Sequence, residues 1–169
     1  MPINEWELTA DVASWINEII GKDRTLPFSR AKCEQRPETS LKRRDLTLLG
    51  SIGEVLITGE IKLPYQKDGS SPYNAVVVGD ARAKALKASS KYFFTWNVNE
   101  CVLWETSRTT TWKDRNYKSW DVTKVRKESD LEHPAVIDAL KKWLPIFLND
   151  LAKIFQGTAV NRHAIMTHL

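Results

Sequence analysis

Cysteine and histidine are scarce in this sequence: Cys33 and Cys101 stand far apart, and His133, His163 and His168 all fall late. Two isolated cysteines exclude a disulfide framework and a cysteine-built zinc site, and they suit a reducing compartment. The late histidines have no nucleophile placed to partner them, which argues against a Ser-His-Asp hydrolase and against a His-rich metal site. Long apolar runs are missing as well. Nothing is long enough to span a bilayer and no secretory leader is recognisable, so the chain is expected to be soluble and cytoplasmic, with no membrane partner. A GxxxxGK[ST] loop and a methyltransferase-like glycine-rich motif are absent, which assigns ATP-driven and methylating chemistry to other proteins or other regions. There is no internal repeat and no low-complexity segment.

What is present is enough chain, 169 residues, to bury one sizeable core. Residues 1–157 read as a single domain and 158–169 as a C-terminal tail. Lys and Arg outnumber Asp and Glu by 25 to 21, a net charge of +4. The resulting isoelectric point near 9.1 is compatible with a polyanionic partner without establishing one.

Leu8, Val12, Trp15, Ile16 and Ile19 recur at helical spacing over residues 4–20, with Gly21 as the expected stop. From Lys22 to Arg44 the periodicity fades into a basic, proline-containing stretch that reads as an exposed loop. Next comes DLTLLGSIGEVLITGEIKLP, residues 45–64, a β-rich hairpin around GSIG closed by Pro64. A helix is expected from about Asn74 through ARAKALKA, followed by two aromatic strands, KYFFTWNV and ECVLWETS, paired antiparallel. Residues 118–125 are a further candidate strand. Pro134 opens a long amphipathic helix, kinked at Pro145 and ended by Gly157. The order implies an α/β fold with a mixed central sheet.

The hairpin carries the chemistry. Alternation along a strand sets Leu56, Thr58, Glu60 and Lys62 on one side and Val55, Ile57, Gly59 and Ile61 on the other. If the GSIG turn pairs Leu49 with Glu54, Asp45 faces Thr58 and lies diagonal to Glu60, within the roughly 7–8 Å of diagonal neighbours. Convergent carboxylates suit a hard cation such as Mg²⁺, and an adjacent ammonium suits the orientation of water or the stabilisation of developing negative charge. The plain alternative is a solvated strand end carrying a surface ion pair, worth roughly 0–1 kcal/mol.

Asp45 followed, after a hairpin, by Glu60-Ile61-Lys62 resembles the PD-(D/E)XK nuclease signature, with Arg44 where the nominal proline would stand. Downstream, SPYNAVVVGDARAKALKASSKYFFTWNVNECVLWET is similar to the helix and paired strands after the catalytic hairpin in the N-terminal nuclease domains of type I restriction motor subunits and related restriction-modification proteins. Thr95 to Asn99 and Trp104 fall at the matching places, and the resemblance covers roughly residues 5–106. It implies a restriction-endonuclease-like mixed sheet flanked by helices and DNA cleavage dependent on Mg²⁺ or Mn²⁺. Asp45 and Glu60 would be metal ligands, the Ile61 carbonyl a further ligand, and Lys62 the group at the water. Many members add an acid from the first helix; Glu18 is the candidate, Asp11 the alternative, and a plain helix-surface acid the other reading for both. DNA is the implied partner, together with other domains or subunits of a restriction-modification complex. The chain being the N-terminal part of a longer protein stays open.

Lys42, Arg43 and Arg44, with Arg36 upstream, are candidates for DNA phosphate contact, the alternative being a solvated loop. Arg82, Lys84 and Lys87 pose the same choice on the middle helix, where Asn74 and Asp80 are further candidates for approach to the site. Core packing is the expectation for Trp15, Trp96, Trp104 and Trp143, whereas Trp112 and Trp120 lie in polar surroundings that suit base contact. Two other functions remain: a non-catalytic nucleic-acid- or protein-binding module with a nuclease-like fold, and a structure-selective DNA resolvase acting as a homodimer.

Overall fold

A computed structural model of the chain describes residues 4–33, 46–107 and 116–167, with the side chains described through residue 156. The first element, α1 (Glu5–Lys22), starts where Asn4 accepts a hydrogen bond from the Glu7 amide at 2.8 Å and donates one to Glu7 Oε1 at 2.8 Å. That reciprocal bonding satisfies an amide the first helical turn leaves unpaired. Leu8, Val12, Ile16 and Ile20 are buried at the spacing expected of an amphipathic helix. Gly21 does not stop the helix, which closes when the Asp23 amide donates to the Ile19 carbonyl at 2.9 Å.

Among the described residues six strands follow, in spatial order identical to chain order: β1 (Arg30–Lys32), β2 (Leu46–Leu49), β3 (Val55–Ile61), β4 (Tyr92–Trp96), β5 (Glu100–Glu105) and β6 (Lys118–Asp121). β1 lies inside the stretch read from sequence as loop; three residues are too short to show a period. β2 and β3 form the expected antiparallel hairpin, but in another register. Leu49 pairs with Val55 rather than Glu54, a register shift falls between Leu48 and Leu49, and the residue opposite Thr58 is Thr47 rather than Asp45. An irregularity of this kind adds a residue to one strand and moves every pair beyond it.

β3 and β4 are parallel, while the other neighbouring strands are antiparallel, so the sheet is mixed. A parallel pair requires a crossover. Here α2 (Ala75–Lys87) supplies it, packed on β3 and β4 and capped by Asn74, whose side chain accepts from the Val76 and Val77 amides. This cap is the place the structure gives Asn74, and Asp80 is exposed.

Each face of the sheet has its own core. Ile57, Ile61, Phe94, Trp96 and Leu103 pack with α1 and with α3 (Pro134–Thr167), whereas Phe93, Val102 and Trp104 pack beneath Val78, Ala81 and Ala85 of α2. Gly59, in mid-strand, faces Phe94 across the parallel pair, and a methyl group there would overlap the Phe94 ring. α3 continues past Gly157 to Thr167. Its Trp143 and Phe147 stack at 4.7 Å and hold Trp120 edge-on, with ring centroids 5.1 Å apart between Trp120 and Phe147. Trp120 is therefore buried core, its Nε1 donating to Asp150 Oδ2 at 2.9 Å, rather than a base-stacking platform. Trp96, Trp104 and Trp143 are buried as expected and Trp15 is partly buried. Among the described residues no helix is long and apolar enough to cross a membrane.

Candidate functional site

The α2 side of the hairpin is polar yet closed to water. Thr47, Thr58, Glu60 and Thr95 are all buried there, and Glu60 is only 5% exposed. A solvated strand end does not describe such a residue. Thr95, opposite Glu60 across the parallel pair, donates to the Pro72 carbonyl at 2.7 Å and accepts from Trp104 Nε1 at 3.0 Å, so its hydroxyl is held by the loop before α2 and by β5.

A carboxylate removed from water needs compensating charge. Glu60 receives it on both oxygens: Lys84 Nζ from α2 lies 2.8 Å from Oε2, and Lys62 Nζ lies 3.7 Å from Oε1. Lys62 follows the last residue of β3 and is anchored by its amide, which donates to the Trp96 carbonyl at 2.9 Å. Its ammonium also lies 3.5 Å from Glu5 Oε1 and 3.5 Å from Asp68 Oδ2. Glu5 comes from the first turn of α1, and Asp68 from a 3-10 turn, Lys67–Gly69. Gly69 fixes that turn against the end of the hairpin, because a methyl group there would overlap the Leu63 carbonyl. Asn97 Nδ2 bonds the Gly69 carbonyl at 2.9 Å.

Burial pushes the Glu5 carboxyl above its ordinary range. The Lys62 charge opposes that rise, and the neighbouring Asp68 and Glu60 charges add to it.

Two of the sequence candidates, Glu60 and Lys62, are thus brought together, with the Ile61 backbone between them. In place of Glu18, the acid that α1 carries to Lys62 is Glu5. Glu18 is exposed near the other end of the helix, about 20 Å from Glu5 by the helical rise, and Asp11 is exposed as well. Asp45, Arg36, Lys42, Arg43, Arg44 and Trp112 lie outside the described residues. Leu46, covalently next to Asp45, pairs with Gly59, the residue before Glu60. On α2, Arg82 Nε donates to the Thr106 carbonyl at 3.0 Å, Lys84 meets Glu60, and Lys87 is exposed.

Sequence reasoning did not find Lys84, Glu5 or Asp68 as partners of the motif. A signal for Glu5 existed in its place at the helix start, but an acid in a first turn is expected there for the helix dipole alone.

Among the described residues no group of three or more His, Cys, Asp or Glu is arranged to hold a metal ion. The donor set in question is smaller: the Glu60 carboxylate, the Ile61 carbonyl and, outside the described residues, Asp45. All are hard oxygen donors, and Mg²⁺ typically takes one or two carboxylates and keeps several waters, so the chemistry of the set fits that ion.

No protein-family model matches the chain, and no curated protein matches it. Among solved structures it is similar to the type IIG restriction endonuclease BpuSI, with a TM-score of 0.52 and 11% identity over 85% of this chain. The chain spans 17% of that protein. At such identity the likeness shows the fold alone, and that fold is restriction-endonuclease-like: a mixed six-stranded sheet flanked by helices.

Proposed function

We propose that the chain is a divalent-metal-dependent DNA endonuclease domain of restriction type, working in the cytoplasm. One observation carries the reading: Glu60 and Lys62, two residues apart at the end of a central strand, converge within 3.7 Å inside a restriction-endonuclease-like fold. Asp45, Glu60 and the Ile61 carbonyl would hold Mg²⁺ or Mn²⁺, which when bound acidifies water and offsets charge on the phosphate. Lys62 orients the attacking water and stabilises the negative charge that develops as the water oxygen bonds phosphorus and the bond to the leaving sugar oxygen breaks. Glu5 and Asp68 hold the Lys62 ammonium in place. Arg36, Lys42, Arg43 and Arg44 contact phosphates, giving affinity that falls with salt and carries no sequence choice. Target choice then belongs to other domains or subunits of a restriction-modification system.

A second reading, a non-catalytic DNA- or protein-binding module, is favoured by one feature: both Glu60 oxygens already face ammonium groups. Incubating the protein with plasmid DNA in Mg²⁺ or Mn²⁺ separates the two. Nicking that stops when the metal is chelated supports the nuclease; metal-independent binding with no nicking in either ion supports the module.

A further inference from the structure

The nuclease reading gives Lys84 no task, yet its ammonium approaches Glu60 more closely than the motif lysine does, 2.8 Å against 3.7 Å. The first distance is that of a charge-assisted hydrogen bond and the second lies beyond hydrogen-bond reach. We propose that Lys84 is the resident counter-ion of Glu60, that a divalent cation displaces it, and that the released ammonium then takes a phosphate oxygen of the DNA. This rests on the reading of Glu60 as a metal ligand.

The argument starts from burial. The Glu60 side chain is 7% exposed, so without metal its charge needs a close cation, and Lys84 supplies one from the last turn of α2. Mg²⁺ binds carboxylate oxygens at about 2.0–2.1 Å, closer than any ammonium. A dication and an ammionium on one carboxylate repel across a few ångströms of weakly screening protein, so occupancy by the first disfavours the second. Lys84 can leave because its four-carbon stem is flexible and its side chain, 18% exposed, is not sealed in the core. An ammonium has donors and no acceptor, and the anion that arrives with substrate is phosphate. One lysine therefore neutralises Glu60 before loading and the substrate after it. Without DNA, Lys84 weakens metal binding; with DNA, metal and substrate each tighten the other.

The test is calorimetric titration of the full chain with Mn²⁺ and no DNA, in wild type, Lys84→Met, Lys84→Arg and Glu60→Gln. Removing the competing charge in Lys84→Met should tighten Mn²⁺ binding by about fivefold or more. Lys84→Arg should stay near wild type, and Glu60→Gln should lose the site. Equal or weaker binding by Lys84→Met, with Glu60→Gln still losing it, overturns the exchange and leaves the metal reading standing. Mn²⁺ binding that is absent from both wild type and Lys84→Met, or unchanged in Glu60→Gln, overturns both. Should Lys84→Met fail to fold, acetic anhydride labelling of wild type decides. Mn²⁺ should raise acetylation of Lys84 severalfold relative to the exposed Lys142, and an unchanged ratio overturns the exchange.

Discussion

Lys84 Nζ and Glu60 Oε2 lie 2.8 Å apart, an ion pair joining the last turn of α2 to a buried carboxylate one residue from the end of β3. It ties the crossover helix to the strand it crosses. Lys84→Met should cost about 1–3 kcal/mol, because among the described residues Glu60 then keeps the longer ion pair to Lys62 alone. The double variant with Glu60→Gln should be less destabilised than the sum of the single variants, with a coupling of about 1–3 kcal/mol in urea unfolding. Additive losses would show that the pair contributes nothing.

Gly59 sets how closely β3 and β4 pack beside the site. Gly59→Ala drives a methyl group into the Phe94 ring, which is itself pinned edge-on to Phe147 at 5.4 Å. A loss of about 1–3 kcal/mol is expected, the usual cost of overpacking a filled core. A urea midpoint equal to that of wild type would contradict this packing.

Tyr73, before α2, donates to Glu100 Oε2 at 2.8 Å. Burial, then that hydrogen bond and the Glu100 charge, raise its hydroxyl from 10.0 to about 12. In the unfolded chain the proton leaves near the ordinary value, whereas the folded chain holds it to about 12. Between these values the folded state binds more protons, so stability is intact below the lower one and declines as pH rises toward the upper. Tyr73→Phe should lose less stability than wild type over that window in pH-stepped urea unfolding; parallel curves would contradict the assignment.

How far the sequence discloses this architecture depends on the residue. Alternation along β3 is enough to place Glu60 and Lys62 on one side, because a strand's period survives any register. Asp45 against Thr58 did not follow from the same reasoning, since the irregularity between Leu48 and Leu49 depends on how the turn closes, with the Gly50 amide bonding the Glu54 carbonyl at 2.8 Å. Lys84 reads in sequence as one more charge on an amphipathic helix. Only the parallel crossover decides that its side chain meets Glu60. Glu5 is hidden for a similar reason: local spacing gives the buried face of α1 but not which end of it reaches the close of β3. Gly21 and Gly157 mark helix stops by propensity, a cost of roughly 1 kcal/mol that the continuing helices overcome.

The basic run before the hairpin gives a prediction independent of the site geometry. If Lys42, Arg43 and Arg44 each neutralise one phosphate, replacing all three with Gln should flatten the dependence of log K on log salt by about 2.7 for duplex DNA. Fluorescence anisotropy across a salt series measures it. An unchanged slope would place the phosphate contacts elsewhere.

The most direct test of the nuclease account is the rate of supercoiled plasmid nicking in Mn²⁺ by wild type, Glu60→Gln and Lys62→Met, each verified as folded, with Lys142→Ala as a surface control. The account predicts metal-dependent nicking by wild type and Lys142→Ala, and a loss of roughly 100-fold or more in both site variants. No nicking by wild type, or undiminished rates in Glu60→Gln and Lys62→Met, would contradict it.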